Sequence, residues 1–216
     1  MRGQRGDTRI SGPEEFRAAF GVSRETLERL ETHLALLEKW NPRINLVARG
    51  TLGDAWSRHF ADSAQLWRLR PSDARRWVDL GSGAGFPGLV IAALAKEESP
   101  GIEVRLVESD QRKAAFLREV ARVAGLSATV LDSRIESLPG QEADVVSARA
   151  LAQLSDLLPM LEKHRALGGI GLFPKGETAH KELSDAAAHW RFEHKIYASL
   201  VEQKAVIVQI GAIDRV

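Results

Sequence analysis

From Trp77 onward the chain alternates short apolar runs with longer stretches whose apolar residues recur every three or four positions. Runs of the first kind fall at 76–80, 103–107, 129–132, 143–147, 169–173, about 192–198 and 205–210, and predict seven strands. Stretches of the second kind fall near 88–96, 111–124, 152–165 and 177–189, and predict helices. Strands and helices in alternation build an α/β fold, a mostly parallel sheet with helices on both faces. The last two strands are joined by a helix-free hairpin around Glu202 and Gln203.

Upstream the pattern is helical only. Ser23 precedes Leu27, Leu30, Leu34 and Leu37, a stripe at helical spacing with Glu28, Arg29, Glu31 and Lys39 outside it. Asn41-Pro42 is expected to end that helix, because the residue before proline avoids helical geometry. A second helix, roughly Leu52 to Arg68, buries Trp56, Phe60 and Trp67. Residues 1–11 are polar and aperiodic and read as a disordered lead-in. The expected organisation is therefore a lead-in at 1–11, an N-terminal helical extension at 12–75 and an α/β domain at 76–216.

The chemistry concentrates in WVDLGSGAGFPG, Trp77 to Gly88, where a strand meets a glycine turn and then a helix. Glycine permits positive φ and lets a ligand lie against the backbone. A helix N-terminus opening onto such a turn favours negative ligand groups. Phe86 stands where a dinucleotide fingerprint wants a third Gly or Ala, which weakens a pyrophosphate reading. Glu108 closes the next apolar run about 23 residues beyond Gly85, where an acidic side chain accepts hydrogen bonds from ribose hydroxyls. A nucleoside ligand is thereby indicated. In an open α/β sheet ligands lie beyond the strand C-termini, and Glu108, Ser133 to Glu136, Arg149 and Lys175 all fall at that edge.

Composition narrows the reading further. The 216 residues suffice for one α/β domain with an added element, and no apolar run approaches the roughly 18 residues of a membrane span. The first ten residues carry three arginines but no signal-peptide core, so a cytoplasmic protein without membrane attachment is expected. The absence of cysteine excludes thiol catalysis, disulfides and iron–sulfur clusters. A net charge of +1 gives no global pull toward nucleic acid; residues 1–75 hold 13 Lys+Arg against 10 Asp+Glu, a slight basic excess. His59, Asp62 and Ser63 share one helix, which cannot build a nucleophile–base–acid line, and no G-x-S-x-G elbow exists. No metal-ligand cluster is visible.

Asp79 to Gly85 with Glu108 resembles the first two motifs of class I S-adenosylmethionine-dependent methyltransferases. WNPRINLV (Trp40 to Val47), the run His59 to Ser63, GFPG, Ser133 to Glu136, SARA (Ser147 to Ala150) and PKG (Pro174 to Gly176) narrow the likeness. Together they resemble the RsmG (GidB) family of bacterial 16S rRNA guanine-N7 methyltransferases.

The resemblance implies a Rossmann-like, seven-stranded, mostly parallel sheet with an antiparallel final strand, and S-adenosyl-L-methionine as cofactor. It implies that Gly81, Gly83, Gly85 and Phe86 contact the cofactor, that Glu108, Ser109 and Asp110 hold the ribose side, and that Ile135, Glu136 and Arg149 lie against the adenine. It also implies guanine 527 of 16S rRNA as target, in RNA or a partly assembled small subunit; apart from the resemblance, a monomer is expected.

On the acceptor side Arg149, Lys175 and Arg134 are the catalytic candidates, the last two to orient guanine O6 or neighbouring phosphates. Asn45, His59 and Asp62 are substrate-side candidates; local backbone bonding for Asn45 and a helix-face role for His59 stay open beside that. Ser147-Ala148-Arg149-Ala150 after the fourth strand, in place of an Asp/Asn-Pro-Pro-aromatic run, disfavours exocyclic amines. Guanine N7 has a free lone pair and no proton to lose, so no general base is required. Another RNA position, a small-molecule acceptor, and a nucleotide-binding or NAD-dependent protein remain as alternatives.

Overall fold

A computed structural model describes residues 10–216. The expected lead-in lies outside the described residues except for Ile10 and Ser11, and Ile10 is already buried. Helix α1 (Pro13–Phe20), which the apolar pattern does not announce, buries Phe16 and ends on Gly21 in the left-handed region, φ 72.

Helix α2 (Arg24–Ile44) is capped by Ser23, whose hydroxyl accepts the Thr26 N–H at 3.1 Å. Contrary to expectation it runs past Pro42. Proline removes only one donor near a helix end, and Asn45 N–H still closes on the Asn41 carbonyl at 3.0 Å. Asn41, buried, turns its Oδ1 to the Val47 N–H at 2.8 Å. The expected single helix over 52–68 is instead a chain of unlike turns: 3-10 at Arg49–Asp54, π at Trp56–Ala61, one α turn α3 (Asp62–Ala64), and 3-10 again at Gln65–Leu69. Trp56, Phe60 and Trp67 are buried as the spacing implies.

The sheet comprises β1 (Arg76–Leu80), β2 (Glu103–Glu108), β3 (Ala128–Asp132), β4 (Ala143–Ala148), β5 (Arg165–Lys175), β6 (Trp190–Ala198) and β7 (Val206–Arg215), ordered β3-β2-β1-β4-β5-β7-β6. β1 to β5 pair in parallel, and β7 runs antiparallel to both β5 and β6. The crossover helices α4 (Gly88–Glu98), α5 (Gln111–Val123), α6 (Leu154–His164) and α7 (Ala179–Ala187) cover the two faces. Alternation along the strands feeds two cores: Trp77, Leu172 and Ile207 join one cluster, while Val78, Phe173 and Val208 join the other.

The N-terminal helices belong to the first of these cores. Phe16, Leu30, Leu37, Phe60 and Leu66 pack with α4 and α5 residues, and each such buried side chain contributes on the order of 1.5–3 kcal/mol. Ser23 also fastens the two parts, its hydroxyl donating to Glu97 Oε2 at 2.9 Å. Chain reversal occurs where β1 and β4 lie side by side, so a crevice opens there beyond their C-terminal ends.

Candidate active site

The ends of β1, β2, β3 and β4 enclose a cavity of about 330 Å³. Gly81, Gly83, Glu108, Ser109, Ile135 and Arg149 line it, with Arg134 and Glu136 at its side. Its size falls within the roughly 300–1,000 Å³ of small-molecule sites. Gly81 and Gly83 hold φ of +66 and +53, and a Cβ on Gly81 would stand 2.7 Å from Leu151 Cδ1. Glycine adopts such φ values without the strain that a side chain brings.

Glu108 is buried, with Oε2 accepting the Gly83 N–H at 2.9 Å and Oε1 the Asp110 N–H at 2.8 Å. A carboxylate has about four lone-pair sites, so each oxygen retains acceptor capacity toward the cavity. The same carboxylate thus fixes the glycine loop and faces the ligand space.

Beneath the loop Asp79 is fully buried. Ser147 Oγ donates to its Oδ1 at 2.7 Å, Gly88 N–H donates to Oδ2 at 3.2 Å, and Trp77 Nε1–H holds Ser147 from behind at 2.9 Å. Burial pushes the Asp79 carboxyl up to about 6. Its place is under the first turn of α4, fixing the helix start.

Three cofactor-side candidates sit elsewhere. Gly85 is required by packing, because a Cβ there would run into Leu89. Asp110 caps α5, accepting the N–H groups of Arg112 and Lys113. Phe86 is buried, and its side chain does not line the cavity. The Phe86 ring is stacked between His33 (centroids 4.7 Å) and His59 (5.0 Å), with Phe60 edge-on at 5.1 Å.

A second cavity, about 570 Å³, adjoins the first and is lined by Arg58, Asp62, Arg149, Gln153, Lys175 and Val201 among others. Arg149, Ala150 and Leu151 line both cavities. Ala150 holds φ 52, a left-handed value that costs a non-glycine residue on the order of 1 kcal/mol. That left-handed residue turns the chain at the wall which the two cavities share.

Arg149 is held on three sides. Its Nη1 donates to the Arg58 carbonyl at 3.0 Å and faces Asp62 Oδ2 at 3.4 Å, and its Nη2 lies 3.2 Å from His59 Nδ1. Arginine only donates, so His59 Nδ1 accepts and Nε2 carries the proton toward Thr51 Oγ1 at 2.8 Å. Thr51 in turn donates to the Ala48 carbonyl at 2.7 Å. His59 is therefore neutral, and burial, with the Arg149 charge beside it, pushes its pKa down to about 3. Asp62 is shifted up by burial, against the pull of Arg149.

The other acceptor-side candidates divide. Lys175 lines the larger cavity, but its ammonium pairs with Glu182 at 2.7 Å and the Ala152 carbonyl at 2.8 Å. It is a strut of the wall and not a free cation. Arg134 is exposed at the smaller cavity, whereas Lys175 lines the larger one. Asn45 is exposed, caps α2 with φ 50, and lines neither cavity.

His33 was not indicated by the sequence pattern. Its Nε2–H meets the Ala84 carbonyl of the glycine loop at 2.8 Å, and complete burial pushes its pKa down to about 4. A histidine on a helix otherwise read for its leucines gives no local signal.

A family model described as GidB, rRNA small subunit methyltransferase G, matches residues 26–210, a span that includes both cavities and the histidine–phenyl stack. The chain belongs to this family. Among curated GidB relatives, the ribosomal RNA small subunit methyltransferase G of Rhodospirillum centenum is 54% identical over 96% of this chain and 95% of its own. That of Ruegeria pomeroyi is 51% identical over 90% and 95%. Solved structures share the fold at low identity. A TehB-like SAM-dependent methyltransferase from Corynebacterium glutamicum superposes with TM-score 0.56 at 14% identity, covering 82% of this chain and 97% of that one. M. jannaschii TYW2, solved in complex with AdoMet, gives 0.53 at 13% identity, covering 74% and 78%. The GidB chain thus carries the class I methyltransferase sheet, and among its described residues no helix is long and apolar enough to cross a membrane.

Proposed function

We propose that this chain transfers the methyl group of S-adenosylmethionine to N7 of a guanine in 16S rRNA, at the position corresponding to guanine 527. The observation that carries the reading is the sharing of Arg149, Ala150 and Leu151 between two adjoining cavities. One space takes the donor and the other the acceptor, with the reacting atoms meeting at their common wall.

The smaller cavity suits the donor chemically. Glycine φ values open the backbone on one side, and Glu108 supplies acceptors for ribose hydroxyls on the other. Gly81, Gly83, Glu108, Ser109, Ile135, Glu136 and Arg149 would hold it. When bound, S-adenosylmethionine supplies a methyl group on a sulfonium, already activated toward a nucleophile. What the protein adds is placement, and holding two reactants at near-attack distance lowers a barrier by on the order of 7–11 kcal/mol.

An acceptor with a free lone pair agrees with the larger cavity. Asp62 is engaged by Arg149 and Gln65, Glu182 by Lys175, and His59 by Arg149 and Thr51. Proton removal has no dedicated group among these, and guanine N7 needs none. Since N7 lies in the deep groove of A-form RNA, the target base must stand in a loop or leave the stack.

The division of the chain at 75/76 is part of the same proposal: the extension supplies Ser57, Arg58 and Asp62 to the acceptor side, and the sheet supplies the donor side. So is a monomeric, cytoplasmic enzyme acting on rRNA or a partly assembled small subunit; the exposed large apolar residues, such as Val123, Leu167 and Leu200, lie on separate elements. Incubation with methyl-labelled S-adenosylmethionine and small-subunit RNA lacking the modification should label one guanine at N7. Label confined to small molecules would reject the assignment.

A further inference from the structure

The larger cavity has two unlike edges. On one, Arg58 is exposed, and among the described residues no carboxylate pairs with its guanidinium. On the other stands the turn joining β6 to β7, whose Val201, Glu202 and Ala205 line the cavity. The residue before them, Leu200, is 62% exposed.

That leucine is not on a loose loop. Its N–H donates to Gln65 Oε1 at 2.9 Å, and Ser199 Oγ accepts the N–H groups of Val201 and Glu202 at 3.2 and 3.3 Å. The Ser199 N–H closes the turn on the Ala205 carbonyl at 3.0 Å. Gln65 is buried, and its Nε2 donates to Asp62 Oδ1 at 2.9 Å. One amide therefore ties the tip of the turn to the carboxylate that faces Arg149. The backbone at Leu200 is thereby held next to the cavity-lining Val201, with an apolar side chain left exposed beside the mouth.

We infer that this mouth grips an unstacked stretch of RNA: Arg58 meets a phosphate next to the target guanine, and Leu200 packs on the face of the adjacent base. This deepens the proposed reaction and rests on it. Taking guanine out of its stack exposes the face of its neighbour, and an apolar wedge occupies the gap. An arginine at the opposite edge neutralises backbone charge without reading sequence.

The test measures steady-state methylation of small-subunit RNA lacking the modification, with full-length protein and S-adenosylhomocysteine binding as a check of folding. Leu200→Asn should raise the KM for RNA at least fivefold with the KM for S-adenosylmethionine unchanged, and Leu200→Met should restore it. Arg58→Ala should raise the RNA KM and lessen its salt dependence by about one unit of log–log slope. RNA KM values for Leu200→Asn and Arg58→Ala within twofold of wild type would overturn the inference while leaving the reaction intact. Failure of the wild-type protein itself to label the RNA would overturn both.

Discussion

Arg149 donates through Nη2 to Nδ1 of His59, 3.2 Å away, and this one contact fixes both the tautomer of the histidine and the direction of the guanidinium. With the Arg58 carbonyl and Asp62 it leaves Arg149 little freedom at the wall between the two cavities. Arg149→Ala should lower kcat/KM for methyl transfer more than tenfold, about 1.4 kcal/mol or more of transition-state stabilisation. Arg149→Lys should not restore it, because a single ammonium cannot meet three acceptors set for a fork. Turnover near wild type in Arg149→Ala would return that side chain to a purely structural role.

Thr51 supports the same arrangement from one step further out. Thr51→Val removes the acceptor of His59 Nε2–H and leaves a buried donor unmet, a loss of about 1–3 kcal/mol. A lowered melting temperature together with a severalfold drop in kcat is expected; stability loss with unchanged kcat would show that His59 does not position Arg149.

At Gly81 the backbone is left-handed and a side chain would strike Leu151. Gly81→Val should abolish S-adenosylhomocysteine binding in calorimetry while the protein still unfolds cooperatively. Tight binding by that variant would place the donor elsewhere. In the wild type, S-adenosylhomocysteine at 100 times its Kd should stabilise by about 2.7 kcal/mol and NAD should not.

Acid should weaken the fold through His33. The unfolded chain protonates this histidine near 6.5, whereas the native side chain stays neutral down to about 4. Its contribution is therefore intact above pH 6.5 and is lost as the pH falls toward 4, at about 1.4 kcal/mol per unit. Asp79, pushed up to about 6, binds its proton more readily in the native state and acts in the opposite sense between about 6 and 4. The comparison of wild type with His33→Phe isolates the histidine. Between pH 7 and 5 the wild-type melting temperature should fall more than that of the variant, by the equivalent of about 2 kcal/mol or roughly 4–8 °C. Parallel profiles would contradict a neutral buried His33.

Ser23 both caps α2 and bonds to Glu97 on α4. Ser23→Ala should cost about 1 kcal/mol and lower the melting temperature by roughly 2–4 °C, with S-adenosylhomocysteine affinity unchanged. Glu97→Ala should destabilise further in the double variant, because Glu97 also accepts the Ser23 backbone N–H at 3.1 Å, a contact that Ser23→Ala leaves in place; no added loss would show that the hydroxyl carries the whole interaction.

The strands, crossover helices and glycine turn were legible because their signals are local: period two, period near four, and glycine at required φ values. Glu108, Ser109, Ile135, Glu136 and Arg149 could be placed at one edge because a parallel sheet brings its strand ends together. What escaped depends on partners distant in the chain. The partners of Lys175, Glu182 and the Ala152 carbonyl, lie 7 and 23 residues away and are visible only in the fold. Phe86, next to the glycines, gives no local sign that its ring stacks between His33 and His59. Pro42 reads as a stop, yet Asn41 and Asn45 carry the helix through it. The mixed winding from Arg49 to Leu69 follows from bonds such as His59 to Thr51 and Gln65 to Leu200, which no spacing rule encodes.

The stacking of Phe86 between a histidine from α2 and one from the π turn has a practical corollary for anyone trimming this enzyme. A fragment beginning at β1 would strip both imidazoles from the phenyl ring, leave the Ala84 carbonyl without its donor and unseat Arg149. A fragment that keeps these contacts therefore includes α2 and the π turn, and a chimera that exchanges the amino-terminal helices between homologues breaks them unless both imidazoles are retained.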